Sequence, residues 1–532
     1  MKLSKRIARI TLFSILIGSI LMLGCGGGGG GGGGGDAAST VGIGPGTTTT
    51  TDAPPVGGSA PPVTGLTVPT GFSSAGFPAV STSLTIPAVA TTRSVVLVNN
   101  AGASATVSLS ASVAGSAKIS GLSVSRNLLA PEEQVYSPIS ADLAFHKNLR
   151  DFEKRLPKAA PTGAKAFLRN AVRADFLGQK TQFSVVYGNT TQKKTVTASC
   201  KLITPIANTS SNVIFYFDDA ATYSPEAENL ITTLSAAWAG IYTTDRATFG
   251  SEPPASFNSL GPDITVLLSP SVETAGFFYS GDLYPPTQIE TGISNQRKMF
   301  YLQYSPHEQT STVLAATMAH EFQHMINFYQ KKLNSVTEED WLNEGLSGYA
   351  EHVCGYKASN NNQSKALQMN RFFASIATIS LVIDPWPGSH ENYGQVYLFG
   401  VWLGQHFGTD GSVVALLASK KTGIAGIAEF TGESFDKTFA KWMIALSVND
   451  TTGGTYGYKD LDLKGSYSYG SDLADVTLTG PAIKASSGAY PYATGNFVLA
   501  GYSSAYVELS GGSGSSLNVT LPSGITAFEM HK

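Results

Sequence analysis

His320-Glu321-Phe322-Gln323-His324, followed by Trp341-Leu342-Asn343-Glu344-Gly345, constrains the fold of this chain more than any other feature. Histidines at i and i+4 share one helix face, a single turn apart. That separation lets two imidazoles grip one zinc ion while the glutamate between them stays free to act as a base. Glu344 lies twenty residues past His324, so a first helix must end and a second must carry the acid back. The motif therefore proposes a metal, three ligands and a reaction together.

Both helices have start signals. Ser305-Pro306-His307-Glu308 reads as a capping box with proline at the first helical position. Val313, Leu314, Thr317, Phe322, Met325 and Ile326 then give apolar or small contacts to about Tyr329. Thr337-Glu338-Glu339-Asp340 caps the second helix. Glu338, Glu339, Asp340, Glu351 and His352 all compete with Glu344 for the third ligand position. Glu351 sits seven residues past Glu344, on the same face about 10 Å further along, which suits it to orienting an imidazole. A longer metal motif would need glycine at Asn327 and histidine at Gln330, and has neither. With His320, His324 and Glu344 holding zinc, a fourth position stays open for water and Glu321 is the expected acid/base.

Charged residues make up 14% of the chain and its net charge is −3. With no basic stripe, nothing calls for nucleic acid. Lys2, Lys5, Arg6 and Arg9 precede an apolar run from Ile10 to Leu23, too short and one-sided for a comfortable transmembrane helix. Leu21-Met22-Leu23-Gly24-Cys25 resembles a bacterial lipobox. That implies a signal peptide over 1–24, lipid on Cys25 and a membrane attachment through that lipid alone. Ten glycines, Gly26 to Gly35, open a Gly/Thr/Pro tether over 25–65, expected to be disordered with a span of roughly 35 Å. The expected location is the bacterial cell envelope, on the outer membrane or the cell surface. Cys200 and Cys354 are the other two cysteines, and the sequence does not say whether they pair.

The fold expected is α+β: a mixed-sheet lobe plus a helical lobe, flanked by small β modules. Residues 66–130 read as one β module, with 93–100 and 105–110 as a hairpin. Residues 131–180 carry Phe145, Leu149, Phe152 and Leu156 at helical spacing, as a linker or a pro-segment. Residues 181–455 hold strands near 181–187, 194–203, 213–217, 264–268, 277–279 and 299–302, a helix over 225–242, the two metal-motif helices, and a mostly helical stretch from Lys365 to about Val448. Residues 456–532 return to short β runs, expected as a C-terminal sandwich-like module.

HEFQHMINF followed by WLNEGLSGYAE resembles the glutamate-zincin peptidases and, among them, the hyicolysin family of bacterial neutral metalloproteases. The likeness covers roughly 181–450. It implies a zincin-type domain with zinc on His320, His324 and Glu344, Glu321 as acid/base, and peptide or protein substrates. Thermolysin-like enzymes share the His324-to-Glu344 interval, but the carboxylate they keep four residues later is Gly348 here. Ser347 or Glu351 would have to support the histidines instead. Zinc aminopeptidases share a WLNEG-like segment, yet their glycine-and-acid motif for a substrate amino terminus has no match upstream, which favours an endopeptidase. Asn392-Tyr393-Gly394 resembles the place where those enzymes keep an oxyanion-stabilising tyrosine, which makes Tyr393 the candidate, with Tyr397 and His390 as alternatives. The rivals to an endopeptidase are an aminopeptidase, and an adhesin or scaffold built on a peptidase domain; an intact Glu321 argues against the last. Structural calcium and the oligomeric state are left open.

Overall fold

The computed structural model describes residues 74–76, 83–87, 93–113, 139–156, 174–188, 190–305, 310–470, 473–486, 495–509 and 515–531. The expected signal peptide over 1–24, Cys25 and the expected tether over 25–65 lie outside the described residues. In chain order the elements begin with β1 (Ser74–Gly76), β2 (Ser83–Pro87), β3 (Arg93–Asn99), β4 (Ala105–Val113) and α1 (Ile139–Arg155). There follow β5 (Lys180–Tyr187), β6 (Gln192–Pro205), β7 (Asn212–Asp218), α2 (Pro225–Phe249), β8 (Ile264–Ser269), β9 (Gly276–Phe278) and β10 (Lys298–Gln303). The helical part comprises α3 (Ser311–Leu333), α4 (Asp340–Val353), α5 (Gln363–Ser375), α6 (His390–Phe407), α7 (Val414–Ala418), α8 (Gly423–Thr431) and α9 (Phe435–Val448). Last come β11 (Ser466–Tyr467), β12 (Val476–Thr477), β13 (Ile483–Ser486), β14 (Gly495–Leu499), β15 (Ser503–Leu509), β16 (Ser515–Thr520) and β17 (Ile525–His531). The fold is α+β.

Six strands form a mixed sheet in the order β5-β6-β7-β8-β10-β9. β7, β8 and β10 run parallel, and the sheet is antiparallel at both sides. The parallel strands are almost wholly apolar because both faces are covered: all six residues of β8 are buried. α2 and α3 pack on the sheet through Trp238, which meets Phe300 and Phe322 at 5.6 and 4.9 Å between ring centres. β9 is a short strand at the edge of this sheet.

A buried acid sits at this edge. Asp282 accepts hydrogen bonds from the Tyr301 hydroxyl (2.5 Å) and the Asn295 N–H (2.6 Å). Burial outweighs those bonds and pushes its carboxyl up to about 7. Between an unfolded value of about 3.9 and that folded value, the native state holds the extra proton. Stability from this site is therefore present below pH 4 and is lost as pH rises to 7, at up to about 1.4 kcal/mol per pH unit. Asp282→Asn should flatten that slope, measured as denaturant midpoints from pH 4 to 8.

Pro306, His307 and Glu308 of the expected capping box lie outside the described residues. α3 begins at Ser311, and Thr310 caps it by accepting the Val313 N–H at 3.3 Å. For α4 the residue outside the first turn is Glu339, with no side-chain cap bond; Thr337 does not cap it. α4 crosses α6 through glycines. A Cβ at Gly400 would lie 2.3 Å from the Gly345 carbonyl oxygen, so only glycine permits this approach. Because Gly345 follows Glu344, Gly400→Ala should destabilise by about 1–3 kcal/mol and weaken metal retention, measured by chemical unfolding and zinc content.

The two flanking β stretches do not form separate modules. β3 pairs with β15 and β17, and β4 with β14 and β16. The sheets run β1-β17-β3-β15-β13 and β14-β4-β16-β2, so N-terminal and C-terminal strands share both. The expected β3–β4 hairpin is likewise absent, since the two strands lie in different sheets. β3 shows why. Val95 and Leu97 join Val107, Leu499 and Val507 between the sheets, while Val96 and Val98 face the core shared with the helices. A strand apolar on both faces belongs in the middle of a sheet. Cys200 and Cys354 are both free thiols.

Candidate metal centre

α3 and α4 bring His320, His324 and Glu344 together, with ligand atoms all within 4.8 Å of one another. Glu344 Oε2 is 3.3 Å from His320 Nε2 and Oε1 is 3.6 Å from His324 Nε2. Donors about 2.0–2.2 Å from a tetrahedral zinc lie roughly 3.3–3.6 Å apart, which matches the distance of each imidazole from a Glu344 oxygen, while the set as a whole spreads to 4.8 Å. Glu344 Oε2 is also buried without a properly formed hydrogen bond, a costly state for a carboxylate oxygen that a metal would relieve.

The rival acids are committed elsewhere. Glu338 pairs with Lys331 at 2.8 Å and accepts the Gly423 N–H. Glu339 accepts the Trp341 indole N–H at 2.6 Å. Asp340 takes the Lys154 ammonium at 2.8 Å. His352 faces the Tyr397 hydroxyl and Asp460.

Each histidine has support on its far nitrogen. Glu351 Oε1 is 2.8 Å from His320 Nδ1 and is itself held by Lys365 and Asn362. His324 Nδ1 is 3.1 Å from Asn343 Oδ1 and 3.0 Å from Ser347 Oγ. Ser347 donates onward to Gln323, and Asn327 donates to Asn343. Glu351 and Ser347 thus stand at the two imidazoles, where Gly348 offers nothing. Glu351→Gln should weaken zinc binding about 10- to 100-fold, read by chelator competition.

Glu321 is buried, and its Oε2 accepts the Phe278 N–H of the edge strand at 2.8 Å. Burial raises its carboxyl above the ordinary range, against the pull of His320, His146 and Arg150. Burial would raise Glu344 too, but His324, His320 and Arg150 hold it far below the usual value. Burial opposes charge on His320, yet the neighbouring carboxylates of Glu344 and Glu351 lift it to about 9.

Tyr393 sits in the first turn of α6, edge-on to Trp386 at 5.7 Å and 5.8 Å from the Lys365 ammonium that grips Glu351. Tyr397 is buried with its hydroxyl accepting the Ala358 N–H and facing His352, which ties it to a different cluster. His390 opens the same helix.

Sequence reasoning missed Asn343, Gln323 and Asn327, although Asn343 directly precedes Glu344. The helical spacing that marks α1 gives no sign of its place beside the site, where Arg150 Nη1 lies 3.4 Å from His324 Nδ1. No sequence spacing links residues so far apart.

No family model matches the chain. A stretch of 90 residues is 31% identical to the neutral metalloprotease ShpI of Staphylococcus hyicus, covering 15% of this chain and 20% of that protein. The chain thus spans about a fifth of the length of this curated relative. Among solved structures it is similar to an M1 zinc metallopeptidase from Deinococcus radiodurans, at 12% identity over 52% of this chain and 58% of that one, with a TM-score of 0.26. An aminopeptidase N family protein from Idiomarina loihiensis is similar at 12% identity over 49% of this chain and 48% of that one, with a TM-score of 0.25.

Proposed function

We propose that this chain is a zinc endopeptidase, akin to the hyicolysin family, that is exported and lipid-anchored at Cys25 on the outer membrane or cell surface. The observation that carries the reading is the convergence of His320, His324 and Glu344, with ligand atoms within 4.8 Å of one another, beside the buried Glu321. The local likeness to a neutral metalloprotease supports it.

His320, His324 and Glu344 would hold the ion. Zinc in that place supplies Lewis acidity, which makes water a better nucleophile near neutral pH and polarises a peptide carbonyl. Glu321 takes one proton from the attacking water as its oxygen bonds to the carbonyl carbon. The same carboxyl then gives that proton to the leaving nitrogen as the C–N bond breaks. Its Oε2 is occupied by the Phe278 N–H, which leaves Oε1 to move the proton. Glu351 and the Asn343–Ser347 pair orient the imidazoles. Tyr393 is assigned to the oxyanion, and the β9 edge to a substrate strand adding by backbone pairing.

No helix among the described residues is long and apolar enough to cross a membrane; the proposed attachment is through lipid at Cys25, which Cys25→Ser would abolish in a fatty-acid labelling assay. For the chemistry, purified protein should carry about one zinc per chain and cut unfolded casein at internal bonds until a chelator is added. Metal-free protein, or cleavage confined to terminal residues, would overturn the endopeptidase reading.

A further inference from the structure

Helix α5 meets the support of the metal centre with its first turn. Asn362 caps the helix, its Oδ1 accepting the Lys365 N–H at 3.2 Å. The same side chain donates from Nδ2 to Glu351 Oε2 at 2.8 Å. Lys365, three residues on, places its ammonium 2.9 Å from Glu351 Oε1. That oxygen is also the one 2.8 Å from His320 Nδ1. Both oxygens of Glu351 are therefore held from the start of one helix, where the helix dipole also favours an anion. Held so, the carboxylate presents one oxygen to His320, whose Nε2 is left facing Glu344 at 3.3 Å.

The holding groups are themselves confined. A Cβ at Gly394 of α6 would stand 2.2 Å from the Gln368 carbonyl oxygen of α5, so the two helices touch backbone to backbone. Tyr393 and Tyr397, one turn apart on α6, flank the Lys365 ammonium with each ring centre 5.8 Å away. Ring faces attract a cation and leave this one little room to swing from Glu351. Only 8% of the Lys365 side chain and 7% of that of Glu351 is exposed. An exposed pair of this kind would matter little; a buried one leaves an uncompensated charge when either partner goes.

We infer that Asn362 and Lys365 are positioning residues for zinc: they act through Glu351, fixing its carboxylate so that His320 keeps its ligating orientation. The inference rests on the peptidase reading only for the reaction that the bound ion serves.

Zinc affinity of the full chain, measured by chelator competition in a double-mutant cycle, tests the path. Lys365→Met should bind zinc about tenfold more weakly. Asn362→Ser keeps a capping oxygen for α5 and removes the donor to Glu351. It should bind zinc about threefold more weakly while metal-stripped protein unfolds at the native midpoint, a split that a merely structural residue would not give. In a Glu351→Gln background neither substitution should cost more than about twofold further, because the group they act through is already altered. Native zinc affinity in both single variants would overturn the inference. So would losses that multiply in full in the double variants, which would place the two residues outside any path through Glu351. A cycle that behaves as expected while the zinc-loaded native chain leaves casein uncut would uphold the positioning role and sink the peptidase.

Discussion

Glu321→Gln should keep its zinc and lose about 100- to 10,000-fold in peptide hydrolysis, the usual share of a positioned acid/base. The substitution preserves shape and removes only the ability to take and return a proton. Metal retention is expected because Glu321 is not among the three clustered ligands. One further effect follows from its surroundings. Oε2 accepts the Phe278 N–H, and a glutamine carbonyl can still accept it, so the β9 edge should keep its place. Glu321→Ala would leave that buried N–H unpartnered, at about 1–3 kcal/mol. Zinc content, unfolding midpoint and casein turnover measured on both variants therefore separate chemistry from support. A fully active Glu321→Gln enzyme would end the mechanism.

How much of this was open to reading from the residues depends on how local each feature is. The two imidazoles and Glu321 follow from helix periodicity alone, because residues four apart on a helix are neighbours whatever surrounds them. Glu351 was legible for a related reason, being on the Glu344 face. Glu344 itself stood among several acids, and only three-dimensional placement shows Glu338, Glu339 and Asp340 occupied by Lys331, Trp341 and Lys154. Strand runs such as 213–217 were legible, but their partners were not. The continuous apolar run of β3 and the period-two pattern of β4 say each is a strand; neither says that Leu97 pairs with Ala505 and Ala527 from the far end of the chain. Turn-linked runs suggest a hairpin by default, and here the apolarity of both β3 faces selects a central position instead. Arg150 is the extreme case. In sequence it is one more charge on an amphipathic helix, and its proximity to His324 is wholly a matter of tertiary packing.

Glu344→Gln and Glu338→Gln form the pair of substitutions that tests the third ligand. Both acids are buried on or beside α4, and each has a positively charged neighbour, yet opposite outcomes are expected. Glutamine at 344 keeps the volume and removes the anionic donor from the cluster. Where metal ligands together contribute on the order of 10 kcal/mol, losing one of three costs about 3 kcal/mol, or roughly 100-fold in zinc affinity. Hydrolysis falls with it, since the ion is lost and His320 and His324 no longer converge on it. Glutamine at 338 instead leaves the Lys331 ammonium, 2% exposed, without its 2.8 Å partner. The three carbonyls of Leu416, Ser419 and Lys421 around that ammonium supply dipoles but no charge. Breaking a buried pair in this way costs about 3–5 kcal/mol, a large part of the stability of a typical domain. Glu338→Gln should therefore melt early while binding zinc with native affinity below its midpoint, and Glu344→Gln should lose zinc with the smaller change in unfolding of metal-stripped protein. Zinc titration and chemical unfolding of both variants decide the matter. If Glu344→Gln binds zinc as tightly as the native chain, the third ligand is some other group.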